Sequence, residues 1–122
     1  MTVVRQTDLQ SLTDALNAFR DARDWRQFHT PKDMAISVVL EAGELLEHFQ
    51  WKSADEMSIH VRDHKSEISE EVADIFTFLL EFADDCGIDL VAATYAKLAK
   101  SEKKYPVAKA RGNHTKYTEL GQ

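Results

Sequence analysis

Four acidic side chains sit at matched spacing on two apolar stretches of this chain. Glu41 and Glu44 are three residues apart, and so are Glu71 and Asp74. On an α-helix three residues make about 300° of turn, so each pair projects from adjoining turns about 60° apart. Val38-Val39-Leu40 and Leu45-Leu46 flank the first pair, Val72-Ala73 and Ile75-Phe76 the second. Carboxylates gathered in a partly dry site repel one another, so either they keep protons or a cation neutralises them. An all-oxygen ligand set favours Mg²⁺, with Mn²⁺ as a substitute, over zinc, and Mg²⁺ is the usual handle for nucleotide phosphates. One Glu-x-x-Glu is ordinary on a helix surface; the repetition on two apolar segments is what points to a metal site. Glu47, Glu67 and Glu70 read as solvated face, with Glu47 and Glu67 near enough for an outer shell. A carboxylate-bridged di-iron centre needs Glu-x-x-His on two helices. That spacing occurs nowhere in the chain: His48 follows Glu44 by four residues and Glu47 by one.

Helical periodicity runs through nearly all of the sequence that must position these acids. Leu9, Leu12, Leu16 and Phe19 define a first helix ending near Arg23, with Thr7 and Gln10 as a capping box. Residues 24–29 have no period and carry Trp25 and Phe28, an aromatic loop. Thr30-Pro31 opens a second helix that runs to about Gln50. Its apolar stripe is Ala35, Val38, Val39, Ala42, Leu45, Leu46 and Phe49. Ser53 and Glu56 offer another capping box, and 55–62 reads as a helical connector. A third helix covers 65–86 and stops at Gly87. Its stripe is Ile68, Val72, Ile75, Phe76, Leu79 and Ala83, with Phe78 and Phe82 outside it. Asp89 caps a fourth helix, 90–104, ended by Pro106, and 107–122 is a polar, extended tail. The expected fold is all-α, a bundle of about four main helices in a single domain over 1–122. A third helix with two apolar faces exposes more than one small bundle hides, so a homo-oligomer is expected.

The 122 residues are 43% hydrophobic, enough for one core and too few for two domains. Twenty-one acids against 15 bases give a net charge of -6, which argues against a grip on nucleic acid polymers. Four Gly and two Pro argue against a β-sandwich or a disordered chain. The single cysteine, Cys86, excludes an internal disulfide and a Cys-built zinc site; it reads as packing at a helix end. No run approaches the roughly 18 apolar residues of a membrane span, and the opening residues lack an apolar signal region. A cytoplasmic protein with no membrane partner is expected. His29, His48, His60, His64 and His114 show no ligand spacing and read as surface or structural.

Several blocks carry a family resemblance. They are Arg23-Asp24-Trp25-x-Gln27-Phe28-His29-x-Pro31, then Glu41-x-Gly43-Glu44-Leu45-x-Glu47-x-Phe49-Gln50-Trp51-Lys52-Ser53, then Glu70-Glu71-x-x-Asp74. Cys86-x-x-Asp89-Leu90, Lys97, Tyr105-Pro106-Val107, Arg111-Gly112 and Lys116-Tyr117-Thr118-Glu119-Leu120 follow. Over about 10–120 the chain resembles the all-α, MazG-like nucleoside triphosphate pyrophosphohydrolases, most nearly their dCTP pyrophosphatase branch. The resemblance implies a tetramer built from tightly joined dimers, with residues of two subunits lining one pocket. It implies Glu41, Glu44, Glu71 and Asp74 as Mg²⁺ ligands, and hydrolysis between the α- and β-phosphates to a monophosphate and pyrophosphate. It places Trp25 and Trp51 around the base, where a flat ring adds affinity more than selectivity.

Within that frame the expected chemistry is metal-assisted hydrolysis, with Glu41 or Glu44 as the base. Phe28 completes the aromatic wall. Lys97 lies in a matched block and is expected to hold the leaving pyrophosphate, with Tyr105 and Arg111 as further contacts. Leu16 stands where relatives carry a base-side His, and Ser101 where they usually carry Asn. Both changes shorten hydrogen-bonding reach near the base and leave the metal chemistry alone. The expected substrates are therefore dCTP or modified pyrimidine deoxynucleotides, with the base and sugar preference open. The competing class is a helical oligomer that binds nucleotides or a partner without turnover. Four intact carboxylates argue for the enzyme, and pyrophosphate release from a nucleotide panel separates the two.

Overall fold

The computed structural model describes residues 8–121. The chain falls into two compact units, one up to Gly87 and one from Ile88. The first holds α1 (Leu9–Ala22), a 3-10 turn (Arg26–Phe28), α2 (Pro31–Glu47), α3 (Ala54–Asp63) and α4 (Lys65–Asp85). The second holds α5 (Leu90–Lys104), α6 (Val107–Ala110) and a 3-10 turn (Tyr117–Glu119). Among the described residues there is no strand, and no helix is long and apolar enough to cross a membrane.

Local chemistry sets the helix ends. Thr30 Oγ1 accepts the Asp33 amide at 3.1 Å, and Pro31 fills the first helical position. Ser53 and Glu56 exchange side-chain and backbone bonds as a capping box at the start of α3. Asp89 accepts the Ala92 amide at 3.0 Å. Gly87 stops the chain after α4 at φ +67°, a conformation glycine adopts at no steric cost. The cap of α1 is Asp8, whose carboxylate accepts the Gln10 amide at 2.9 Å; the expected Thr7 lies outside the described residues. Two other expectations change. α2 ends at Glu47, because His48 to Trp51 turn the chain and Trp51 takes φ +68°. The tail is not simply extended: α6 and the second 3-10 turn form there, with Tyr105 edge-on to Tyr117 and Lys104 Nζ 4.6 Å from that ring's centre.

α4 is the hub of the first unit, with α2 packed along it most extensively and α1 and α3 also against it. The packed seam differs from the expected stripes. On α2 it follows Met34, Val38, Glu41 and Leu45, with Val39, Leu40 and Leu46 exposed. On α4 it follows Ile68, Glu71, Ile75, Phe78 and Phe82, with Val72, Phe76 and Leu79 exposed. Phe78 and Phe82, expected outside the stripe, thus face inward. Each seam repeats every three or four residues, the spacing that keeps one helix face against a partner. Each seam also carries an acid at a core-facing position.

On α1 the most buried residues are Thr13 and Arg20, not the expected Leu9, Leu12, Leu16 and Phe19. Arg20 turns the helix face. Its guanidinium donates to Asp85 at 2.6 and 2.8 Å and to Asn17 Oδ1 at 2.7 and 3.0 Å, and NH1 lies 3.8 Å from Glu81. Buried Glu81 in turn lies 3.6 Å from His29 Nδ1. This cluster ties α1 and the aromatic loop to the last turns of α4.

Candidate metal centre

The seam positions bring Glu41 and Glu71 toward each other, and Glu44 reaches in from the next turn of α2. One carboxylate oxygen from each lies within 4.8 Å of the other two. Burial raises the pKa of Glu41 first, followed by proton sharing with Glu44 and the charges of Glu44, Asp74 and Glu71. Glu71 is raised in the same way, by burial and then by Glu44 and Asp74. Glu41 Oε2 and Glu71 Oε2 are buried and receive no hydrogen bond. Oxygen-only donors with orphaned buried atoms fit a hard divalent cation, which would satisfy both oxygens and remove the repulsion. Asp74 does not join the converged trio. Its charge acts on both Glu41 and Glu71, so it stands beside them one step round α4.

A cavity of about 340 Å³ opens at this cluster, lined by Glu44, Glu47, His48, Lys52, His60 and Glu71. His48 Nδ1 and His60 Nε2 are 2.9 Å apart, a hydrogen bond whose direction depends on the tautomers. His60 stacks on His64 at 4.1 Å, and Phe49 meets it edge-on. Burial, then His64, Lys52 and His48, holds the His60 pKa below its ordinary value. Reading the sequence missed this cluster. His60 and His64 stack one helical turn apart at the end of α3, and the turn after α2 brings His48 to them. The Trp51-Lys52-Ser53 block was the available signal, because the cap at Ser53 fixes where α3 returns.

Trp25 and Phe28 share one 3-10 turn, the Phe28 amide donating to Trp25 O at 2.9 Å. Trp25 packs edge-on against Phe19 at 5.6 Å, with Arg23 lying over Phe19. Its amide donates to Arg20 O, and Asp24 takes φ +54° to make that turn. Phe28 is exposed. Trp51 is 92% exposed. Leu16 is half-buried on α1. Lys97 and Ser101 lie on α5, Tyr105 ends α5 and Arg111 ends α6, all in the second unit. Cys86, expected in packing, is exposed, because the chain leaves α4 there for Gly87.

Residues 36–120 match the MazG-like family. The chain is 38% identical to dCTP pyrophosphatase 1 of Rattus norvegicus over 104 residues, 84% of this chain and 61% of the rat protein. The Homo sapiens protein of that name is 36% identical over the same share of each chain. The chain thus spans about three fifths of the length of these mammalian relatives. The solved structure of a pyrophosphatase from Archaeoglobus fulgidus superposes with a TM-score of 0.79 at 39% identity, covering 87% of this chain and 99% of that one.

Proposed function

The chain belongs to the MazG-like family, and from that premise we propose that it is a nucleoside triphosphate pyrophosphatase, cleaving dCTP or modified pyrimidine deoxynucleotides to a monophosphate and pyrophosphate. The observation that carries this is the meeting of Glu41, Glu44 and Glu71, with buried oxygens of two of them lacking any donor. Glu41, Glu44 and Glu71 would hold Mg²⁺, or Mn²⁺ in its place, with Asp74 as the fourth ligand. A cation held there supplies positive charge against the phosphates and makes a nearby water more acidic. Glu41 or Glu44 would accept the proton of the attacking water; for Glu41, burial and the acids around it raise its affinity for a proton. Trp25, Trp51 and Phe28 stack against the base, and Lys97, Ser101, Tyr105 and Arg111 are the remaining substrate contacts. Similarity to two dCTP pyrophosphatases supports the substrate class.

We take residues 1–122 as one functional domain in a homo-oligomer, a dimer of dimers whose subunits share each pocket. Val39, Leu40 and Leu46 on α2 and Val72, Phe76 and Leu79 on α4 are the exposed apolar side chains that favour a partner copy. One free thiol fits a reducing, cytoplasmic setting. The deciding experiment is pyrophosphate release from a nucleotide panel with and without Mg²⁺, on the wild type and on Glu44→Ala and Asp74→Ala. Turnover that needs Mg²⁺ and vanishes in both variants, with helix content intact, is expected. No release from any nucleotide with Mg²⁺ present refutes the enzyme and favours the non-catalytic binding oligomer.

A further inference from the structure

The cavity at the carboxylates is lined by acidic and nitrogen-bearing side chains together. Glu44, Glu47 and Glu71 are joined there by His48, Lys52 and His60. We propose that Lys52, His48 and His60 form an anion subsite that seats the pyrophosphate half of the substrate beside the metal carboxylates. This rests on the hydrolase reading above and gives a role to residues of that site for which the family resemblance implied none.

Three features favour it. Lys52 carries the permanent positive charge on this cavity, and it makes no ion pair among the described residues, although three carboxylates share the cavity. The histidine pair is a donor in either tautomer. If His48 Nδ1–H donates to His60 Nε2, neutral His60 must carry its proton on Nδ1. If the bond runs the other way, His48 carries its proton on Nε2. One N–H is therefore always free of the pair, and no other side-chain hydrogen bond to either ring is made among the described residues. His60 is also held in place by His64 on its face and Phe49 at its edge. The space, about 340 Å³, is that of roughly ten water molecules in the liquid, ample for two phosphate groups. A lysine cation and a free ring N–H on one cavity suit a group with several acceptor oxygens.

The test is calorimetric binding of inorganic pyrophosphate with Mg²⁺ present, and of Mg²⁺ alone, to the full chain. Lys52→Gln should weaken pyrophosphate at least tenfold, the loss of one charge-assisted contact. Lys52→Arg should stay within about threefold, and Mg²⁺ alone should bind both variants at least as tightly as the wild type. His60→Phe keeps the ring between His64 and Phe49 but removes its nitrogens, and should weaken pyrophosphate several-fold. Wild-type affinity in both Lys52→Gln and His60→Phe, or no pyrophosphate binding by the wild type, overturns the subsite. Loss of pyrophosphate binding in the variants of a protein that hydrolyses no nucleotide would keep the subsite and sink the hydrolase reading instead.

Discussion

Arg20→Met tests whether the buried charges between α1 and α4 hold the first unit together. Methionine keeps a long side chain and a good helix former, so the change removes charge and donors more than volume. What it strands is Glu81. That side chain is 7% exposed, its Oε2 receives no hydrogen bond, and Arg20 is the strongest influence opposing the burial that raises its pKa. Removing one partner of a buried pair costs about 3–5 kcal/mol. Asp85, the other partner, is 25% exposed and regains water, so the lower end applies, about 3 kcal/mol. The pH dependence has a definite sign. Glu81 holds its proton more tightly folded than unfolded, which favours the fold at low pH; that favour is lost as pH rises through the folded pKa. Without Arg20 the folded pKa climbs further, so the penalty is full near neutrality and fades as pH falls toward the ordinary glutamate range. The assay is urea unfolding followed by far-UV circular dichroism at one fixed protein concentration, since assembly would shift apparent stability. Arg20→Met/Glu81→Leu should recover much of the loss. A loss below about 1 kcal/mol at neutral pH, or one that grows on acidification, refutes the reasoning.

Trp51→Gly should stabilise the protein by about 1 kcal/mol, because a bulky residue at φ +68° pays for a left-handed conformation with almost no burial in return, while KM for nucleotides rises. Destabilisation in the same unfolding assay would show that the ring packs against something. In metal-free protein, raised pKa values at Glu41 and Glu71 mean the fold is favoured below the ordinary glutamate range and loses that advantage as pH climbs above it, through the raised folded values. The melting temperature should therefore drop toward neutral pH and recover with Mg²⁺, and a melting profile indifferent to Mg²⁺ at neutral pH counts against the metal site. Ser53→Ala should cost about 1 kcal/mol and raise the Glu56 pKa, which the Ser53 bonds now lower, a shift that carbon-detected NMR titration reads directly.

Much of this architecture was legible because its determinants are local. Thr30-Pro31, Ser53 with Glu56, Gly87 and Asp89 each end or begin a helix through contacts within four residues, so short stretches of sequence suffice. The i, i+3 acids were legible for the same reason. The rotation of each helix about its axis was not. α2 offers apolar residues on nearly every side, and only the tertiary partner selects Met34, Val38, Glu41 and Leu45 over Val39, Leu40 and Leu46. That rotation also decides that Glu41 and Glu71 converge with Glu44 while Asp74 stays outside the trio. Arg20 hid for a related reason: a charge in a Leu and Phe stripe looks solvent-facing until its partners, more than 60 residues away, are placed. His48 and His60 meet across 12 residues through a turn whose left-handed Trp51 no periodicity announces.

The seams of α2 and α4 obey the apolar pattern of a packed helix pair except at Glu41 and Glu71. Apolar residues at those two positions would continue the Val38 and Leu45, Ile68 and Ile75 contacts and bury no charge. Among the described residues no donor reaches their inward oxygens, and the acids around them raise the pKa of both, His48 alone pulling Glu71 the other way. Buried Glu81 on the same α4 has Arg20 beside it, whereas Glu41 and Glu71 break the local rule at facing positions with no such cation paired to them, which marks a place where stability has been given up for something outside the chain. A partner that compensates must carry positive charge and accept oxygen ligands at close range. A hard divalent cation meets both demands, and Lys52, His48 and His60 on the same cavity suit the anion that such a cation would bring.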